Sequence, residues 1–172
     1  MNKAIFLDRD GTLNLDTSHP SKLEELFVLE WASDALKILK KMWYLLIGIT
    51  NQSWIGRWYY TTEQFHLFNK LLEETLWTKL DAWYRCPDLP DAWCICRKPK
   101  PGMLLQATQE YDIDLFQSRM IGDSLTDIQA GHHAWCQTIF LWDDPCLESD
   151  YTCNSLLAAS LYLQWLFAIS QN

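Results

Sequence analysis

The run Ala4-Ile5-Phe6-Leu7 is apolar at every position and stops abruptly at Asp8-Arg9-Asp10-Gly11-Thr12. A strand with no polar face must be covered on both sides, the usual situation of a parallel strand between two helical layers. The rest of the chain keeps to that pattern. Helical spacing is expected over Ser33–Met42, Thr62–Leu76, Gly102–Tyr111, Thr126–His133 and Ser155–Ile169, with short buried strands at Tyr44–Ile49, Ala82–Arg85, Arg119–Gly122 and Thr138–Leu141. Strands alternating with helices predict an α/β fold, a parallel Rossmann-like sheet with helices on both faces. With 172 residues and no repeat or linker, residues 1–172 are expected to form one domain.

Ligands in such sheets sit beyond the carboxyl ends of the strands. Asp8, Thr50, the loop from Cys86 and Asp123 all follow predicted strands, so they should converge on one edge. The formal net charge is −8, which argues against a nucleic-acid backbone as partner. An acidic protein that handles an anion must supply positive charge locally. The opening Met1-Asn2-Lys3 has no secretory pattern, and the apolar stretch near Ser155–Ile169 falls short of a membrane span, so a cytoplasmic protein is expected. Six cysteines in that compartment read as ligands or free thiols rather than disulfides.

A bare Asp-x-Asp is often no more than a turn. Here four segments follow in order: Asp8-Arg9-Asp10-Gly11-Thr12, Thr50-Asn51-Gln52-Ser53, Arg97-Lys98-Pro99-Lys100-Pro101-Gly102 and Gly122-Asp123-Ser124-Leu125-Thr126-Asp127. Together they resemble the haloacid dehalogenase superfamily of phosphatases, over about residues 3–145. The resemblance implies hydrolysis of a small phosphorylated metabolite through an aspartyl phosphate, with Asp8 as nucleophile and Asp10 as general acid and base. It implies Mg²⁺ held by Asp8, Asp123 and the Asp10 backbone carbonyl. Thr50, Lys98 and Arg97 would bind the transferring oxygens. Asn51, Gln52, Ser53, Arg57 and Ser124 are the expected substrate contacts. Asp127 is expected to orient its neighbours or simply to face solvent.

Cys86, Cys94 and Cys96 precede Arg97-Lys98 and suggest a structural zinc site. The loop resembles that of the D-glycero-D-manno-heptose-1,7-bisphosphate 7-phosphatases and the related histidinol-phosphate phosphatases, with Asp88 where those have histidine. Zinc on Cys86, Asp88, Cys94 and Cys96 is the implied set, and three unligated thiols the alternative. Cys136, Cys146 and Cys153 are expected to be packing residues. The segments Asn51–Thr61 and Lys100–Leu105 favour the heptose bisphosphate over histidinol phosphate or another sugar phosphate. No large cap domain is expected, which leaves selectivity to short loops such as Leu15–Ser21, Asn51–Tyr60 and Arg97-Lys98. The apolar C-terminal helix is expected to pack on its own sheet in a monomer.

The chain has 10 Trp and only 6 Gly, where average usage would give about 12 glycines. Trp43 ends a helix where a left-handed glycine cap is usual, Trp54 follows Asn51-Gln52-Ser53 where a phosphate-loop backbone must approach its ligand closely, and Trp58 lies between Arg57 and Tyr59. Trp31 and Trp135 also stand at glycine positions of the family pattern. For Trp43, Trp54 and Trp58 one reading is a UGA codon that means glycine. If they are tryptophan, an impaired protein that binds a phosphorylated metabolite without turning it over is the competing function. A phosphotransferase would share the intermediate and differ in its acceptor.

Overall fold

The computed structural model describes residues 1–17 and 26–170. Six strands form one sheet: β1 (Ala4–Leu7), β2 (Leu45–Asn51), β3 (Ala82–Cys86), β4 (Arg119–Gly122), β5 (Gln137–Leu141) and β6 (Tyr151–Cys153). Their order is β3-β2-β1-β4-β5-β6, and every pairing is parallel. The order reverses beside β1, which places the end of β1 at the topological switch point where such sheets bind ligands. Leu7 pairs with Gly48 on one side and Ile121 on the other, so Asp8 emerges between β2 and β4.

The helices are α1 (Ala32–Lys41), α2 (Ser53–Gly56), α3 (Thr62–Thr75), α4 (Gly102–Tyr111), α5 (Leu125–His133) and α6 (Leu156–Ser170). Alternation along β1 divides the core. Ile5 and Leu7 pack with Leu36 and Leu39 of α1 and Ala159 and Leu163 of α6. Ala4 and Phe6 face the opposite layer, with Leu104 and Ala107 of α4 and Ala130 of α5. The C-terminal helix thus lies on its own sheet as expected. No helix among the described residues is long and apolar enough to cross a membrane.

Two elements escape the sequence pattern. β6 is a three-residue edge strand, too short to display an alternation. α2 is a single turn, below the length at which periodicity is visible. β2 also runs two residues beyond its expected end at Ile49, so Thr50 and Asn51 lie within the sheet, paired with Arg85 and Cys86. Of the selectivity loop expected at Leu15–Ser21, residues 18–21 lie outside the described residues.

Candidate active site

The carboxyl ends of β1, β2 and β4 enclose a cavity of about 230 Å³. Asp8, Asp10, Thr50, Lys98 and Asp123 line it, together with Asn51, Gln52, Ser53 and Ser124. Asp16, Trp54, Thr126 and Asp127 complete the lining. The backbone N–H of Asp8 donates to the Ile121 carbonyl at 3.0 Å, which extends the β1–β4 ladder by one residue and fixes the carboxylate at the sheet edge.

Lys98 is the electrostatic centre. It is only 4% exposed. Its Nζ lies 2.7 Å from Asp8 Oδ1 and 2.5 Å from Asp127 Oδ1, and donates to the Ile49 carbonyl at 2.9 Å. Burial alone would drive the lysine towards neutrality, but the charges of Asp127 and Asp8 outweigh it and hold the ammonium form. Asn51 fixes the Lys98 main chain from both sides: its amide donates to the Lys98 carbonyl at 3.1 Å and accepts from the Lys98 N–H at 3.0 Å. Asn51, expected to touch substrate, has its side-chain amide committed to placing the lysine.

Asp10 sits among donors. Arg9 Nε and Nη2 reach its two oxygens at 3.0 and 2.9 Å, and Asn14 Nδ2 and Gln52 Nε2 add bonds of 2.9 Å each. Burial raises the Asp10 carboxyl, but the Arg9 charge and these hydrogen bonds win and hold it below the usual range. Arg9 is fully buried, stacked over Phe68 at 4.6 Å and bonded to Asn69 Oδ1 at 3.3 Å. Nothing in the spacing of the motif distinguishes Arg9 from an exposed residue. Gln52 also donates to Thr50 Oγ1 at 2.7 Å and accepts from the Tyr60 hydroxyl, so its amide organises the site from within.

Asp8, Asp123 and Asp127 bring carboxylate oxygens within 4.8 Å of one another. Burial is the first cause that pushes the Asp8 carboxyl well up, against the opposing charge of Lys98. Burial, followed by the Asp127 charge, pushes Asp123 up to about 6. Three crowded carboxylates served by one lysine suit a divalent cation with hard oxygen ligands. The Asp10 side chain is not in this group, since donors occupy it. Gly11 makes the arrangement possible. Its φ is +83°, and a Cβ there would lie 1.9 Å from Asp123 Oδ2.

Some expected roles change. Asp127 is fully buried, pairs with Lys98, and accepts from the Ser124 N–H at 3.1 Å in a capping box that starts α5. The solvent-facing reading of Asp127 is therefore corrected. The Ser124 hydroxyl caps the same helix end, accepting from the Thr126 N–H at 3.1 Å. Arg97 and Arg57 are not among the cavity-lining residues. Arg97 instead donates to the Asp88 carbonyl at 3.1 Å, in the cysteine loop, and Arg57 is exposed beyond α2. Both follow a turn that the sequence pattern leaves unresolved.

The cysteine loop forms a second cluster. The Sγ atoms of Cys86, Cys94 and Cys96 and a carboxylate oxygen of Asp88 lie within 4.8 Å of one another. Cys96 Sγ is 2.8 Å from Cys86 Sγ and 3.8 Å from Asp88 Oδ2, and Cys86 Sγ is 3.5 Å from Cys94 Sγ. Burial raises the Cys86 and Cys96 thiols. Cys136, Cys146 and Cys153 are free thiols outside this cluster.

Comparison with known proteins places this geometry. A family model described as HAD-hydrolase-like matches residues 95–144. The D-glycero-beta-D-manno-heptose-1,7-bisphosphate 7-phosphatase of Haemophilus influenzae is 44% identical over 140 residues, 76% of this chain and 76% of the relative. The D-glycero-alpha-D-manno-heptose-1,7-bisphosphate 7-phosphatase of Campylobacter jejuni is 40% identical over 152 residues, 87% of each. The crystal structure of D,D-heptose 1,7-bisphosphate phosphatase from B. bronchiseptica, complexed with magnesium and phosphate, superposes with a TM-score of 0.87 at 30% identity. It covers 95% of this chain and 99% of that one. The chain therefore belongs to the haloacid dehalogenase-like phosphatases, in the branch that contains the heptose-1,7-bisphosphate 7-phosphatases.

Proposed function

We propose that this phosphatase removes the 7-phosphate of D-glycero-D-manno-heptose 1,7-bisphosphate through a phosphoryl group carried on Asp8. The observation that carries the reading is Lys98, clamped between Asp8 and Asp127 at the mouth of β1. It occupies Asp8 Oδ1, which leaves the other carboxylate oxygen as the nucleophile. That oxygen attacks phosphorus as the ester P–O bond breaks. The leaving oxygen takes its proton from Asp10, which must first be protonated. The donors around Asp10 favour the carboxylate, and the negative charge of an arriving phosphate raises its proton affinity. In the second half, Asp10 takes a proton from water, the water oxygen attacks phosphorus, and the Asp8–phosphorus bond breaks to release phosphate.

Asp8, Asp123 and the Asp10 carbonyl would hold Mg²⁺, with Asp127 beside them, as the crowding of carboxylates supports. Bound there, the ion neutralises the repulsion between a carboxylate nucleophile and an anionic ester. Thr50 and Lys98 bind the transferring oxygens, and Ser53 lies at the rim of the same cavity. Cys86, Asp88, Cys94 and Cys96 would hold a structural zinc ion. Three thiols and one carboxylate within 4.8 Å of one another supply the number and type of donors that a structural zinc ion takes. Binding would require the raised thiols to release their protons to solvent as the metal takes their place.

The relatives favour heptose bisphosphate over histidinol phosphate, and they include both anomeric activities. The test is magnesium-dependent phosphate release from both anomers of the bisphosphate, histidinol phosphate and simple sugar phosphates. Release of one phosphate from one heptose anomer, absent in Asp8→Asn, is expected. Release no greater than that of Asp8→Asn on every substrate would leave the impaired binding protein as the answer.

A further inference from the structure

Seven described residues have φ between +49° and +83°: Gly11, Asp112 and five tryptophans, Trp31, Trp43, Trp58, Trp77 and Trp135. This is the left-handed region, which costs an L-residue with a Cβ and costs glycine nothing comparable. Asp is one of the few residues that tolerates it; tryptophan is not. Half of the 10 tryptophans therefore stand where the backbone asks for glycine.

Four of the five share one structural position. The helices α1, α2, α3 and α5 each end with the cap residue followed by a left-handed residue, and that residue is Trp43, Trp58, Trp77 or Trp135. The hydrogen bonds are those of a Schellman ending. Trp77 N–H donates to the Glu74 carbonyl and Thr78 N–H to the Glu73 carbonyl, both at 3.2 Å. Trp135 and Cys136 donate to His132 and Gly131 at 3.0 and 2.9 Å. Trp58 and Tyr59 donate to Ile55 and Trp54, both at 3.0 Å, and Trp43 donates to Lys40 at 3.0 Å. Trp31 enters α1 with φ 63° and no side-chain cap bond.

Packing does not compensate the strain. The five side chains are between 55% and 93% exposed, so little apolar burial offsets the backbone cost. Trp83 is the contrast. It lies in β3 outside the left-handed region, and its indole N–H donates to Glu73 Oε1 at 2.9 Å.

We infer that the protein made in its own cell carries glycine at positions 31, 43, 58, 77 and 135, where the codon written as tryptophan is read as glycine. Trp54 is not in this set, because its backbone lies in the α2 turn without a positive φ. The inference rests on backbone geometry alone and stands or falls separately from the substrate. Position 58 also touches catalysis, since it ends the turn that leads to Tyr60, whose hydroxyl holds Gln52 against Asp10. A glycine there is a positioning residue.

Peptide mass spectrometry of the protein isolated from its native host decides the matter. Peptides spanning these positions should carry glycine at all five, and tryptophan there would overturn the inference. Thermal melting of recombinant protein gives a second reading. Each Trp→Gly change at the five positions should raise Tm by about 2–3 °C, and all five by roughly 10 °C. Trp83→Gly, the control, should lower it. A five-fold variant that melts no higher than the chain as written would refute the geometric ground.

Discussion

Replacing Lys98 by methionine should make the metal-free protein markedly less stable at neutral pH, and less so in acid. The side chain keeps its length and loses its charge. At an effective dielectric of about 20, an ion pair at 2.7 Å such as that with Asp8 carries a gross attraction of about 6 kcal/mol. Desolvation of the buried ammonium offsets much of it, and removing one partner of a buried pair leaves a net cost of about 3–5 kcal/mol. For a chain of 172 residues that is a fall in Tm of roughly 10 °C. The pH dependence fixes the cause. Lys98 has a raised folded pKa, so its own contribution is fully present below its unfolded pKa and constant across pH 5–8. The Asp8 carboxyl is raised by burial first and then by Asp127 and Asp10, and only Lys98 opposes them. Without the lysine, the folded state takes up protons that the unfolded state does not. The deficit is then largest near pH 8 and shrinks as pH falls towards 5. Melting curves in chelator across that range read it directly, and Mg²⁺ should restore part of the loss at pH 8. A deficit below about 1 kcal/mol, or one that grows in acid, would refute the argument that Lys98 neutralises Asp8 and Asp127.

Two more outcomes follow from the carboxylate cluster. Asp123 is raised to about 6, so protons compete with the metal there; calorimetric titration should find Mg²⁺ affinity falling as pH drops through about 6, and a flat profile from pH 5 to 8 would count against Asp123 as a ligand. Gly11→Ala places a Cβ against the Asp123 carboxylate at a positive φ. Its Mg²⁺ affinity and turnover should drop at least tenfold while the far-UV circular dichroism stays unchanged, and normal Mg²⁺ binding would show that the Gly11–Asp123 approach is not required.

Much of this was legible in the sequence. A run without a polar face, broken by two aspartates, is enough to place β1 inside a parallel sheet and Asp8 at its edge. The alternation of elements then brings Thr50, Lys98 and Asp123 to the same edge. What stayed hidden were features in which a side chain turns inward against its type. Arg9 is charged, and charge in a sequence reads as surface, yet it is buried because it is paired; Asp127, for which an orienting role and a solvent-facing one both stood open, is buried for the same reason. Asn51 and Gln52 were expected at the substrate from the family resemblance of their segment, but their amides are taken by Lys98, Asp10 and Thr50. Hydrogen-bond partners that come from distant segments leave no trace in local spacing. The tryptophan anomaly was visible as composition, and at Trp43 and Trp58 as helix endings. Trp77 went unnoticed because Leu76-Trp77-Thr78 resembles the continuation of an apolar stripe.

Walling Arg9 off from solvent has an effect on how the enzyme meets its surroundings. Counterions screen exposed charges within a few ångströms of water but scarcely reach a guanidinium sealed beneath two phenylalanine rings. The Arg9 charge that lowers the Asp10 carboxyl is thereby screened less than a surface charge would be. In the proposed reaction, ionic strength acts first on the capture of the anionic substrate, and less on the bias that the buried Arg9 gives Asp10.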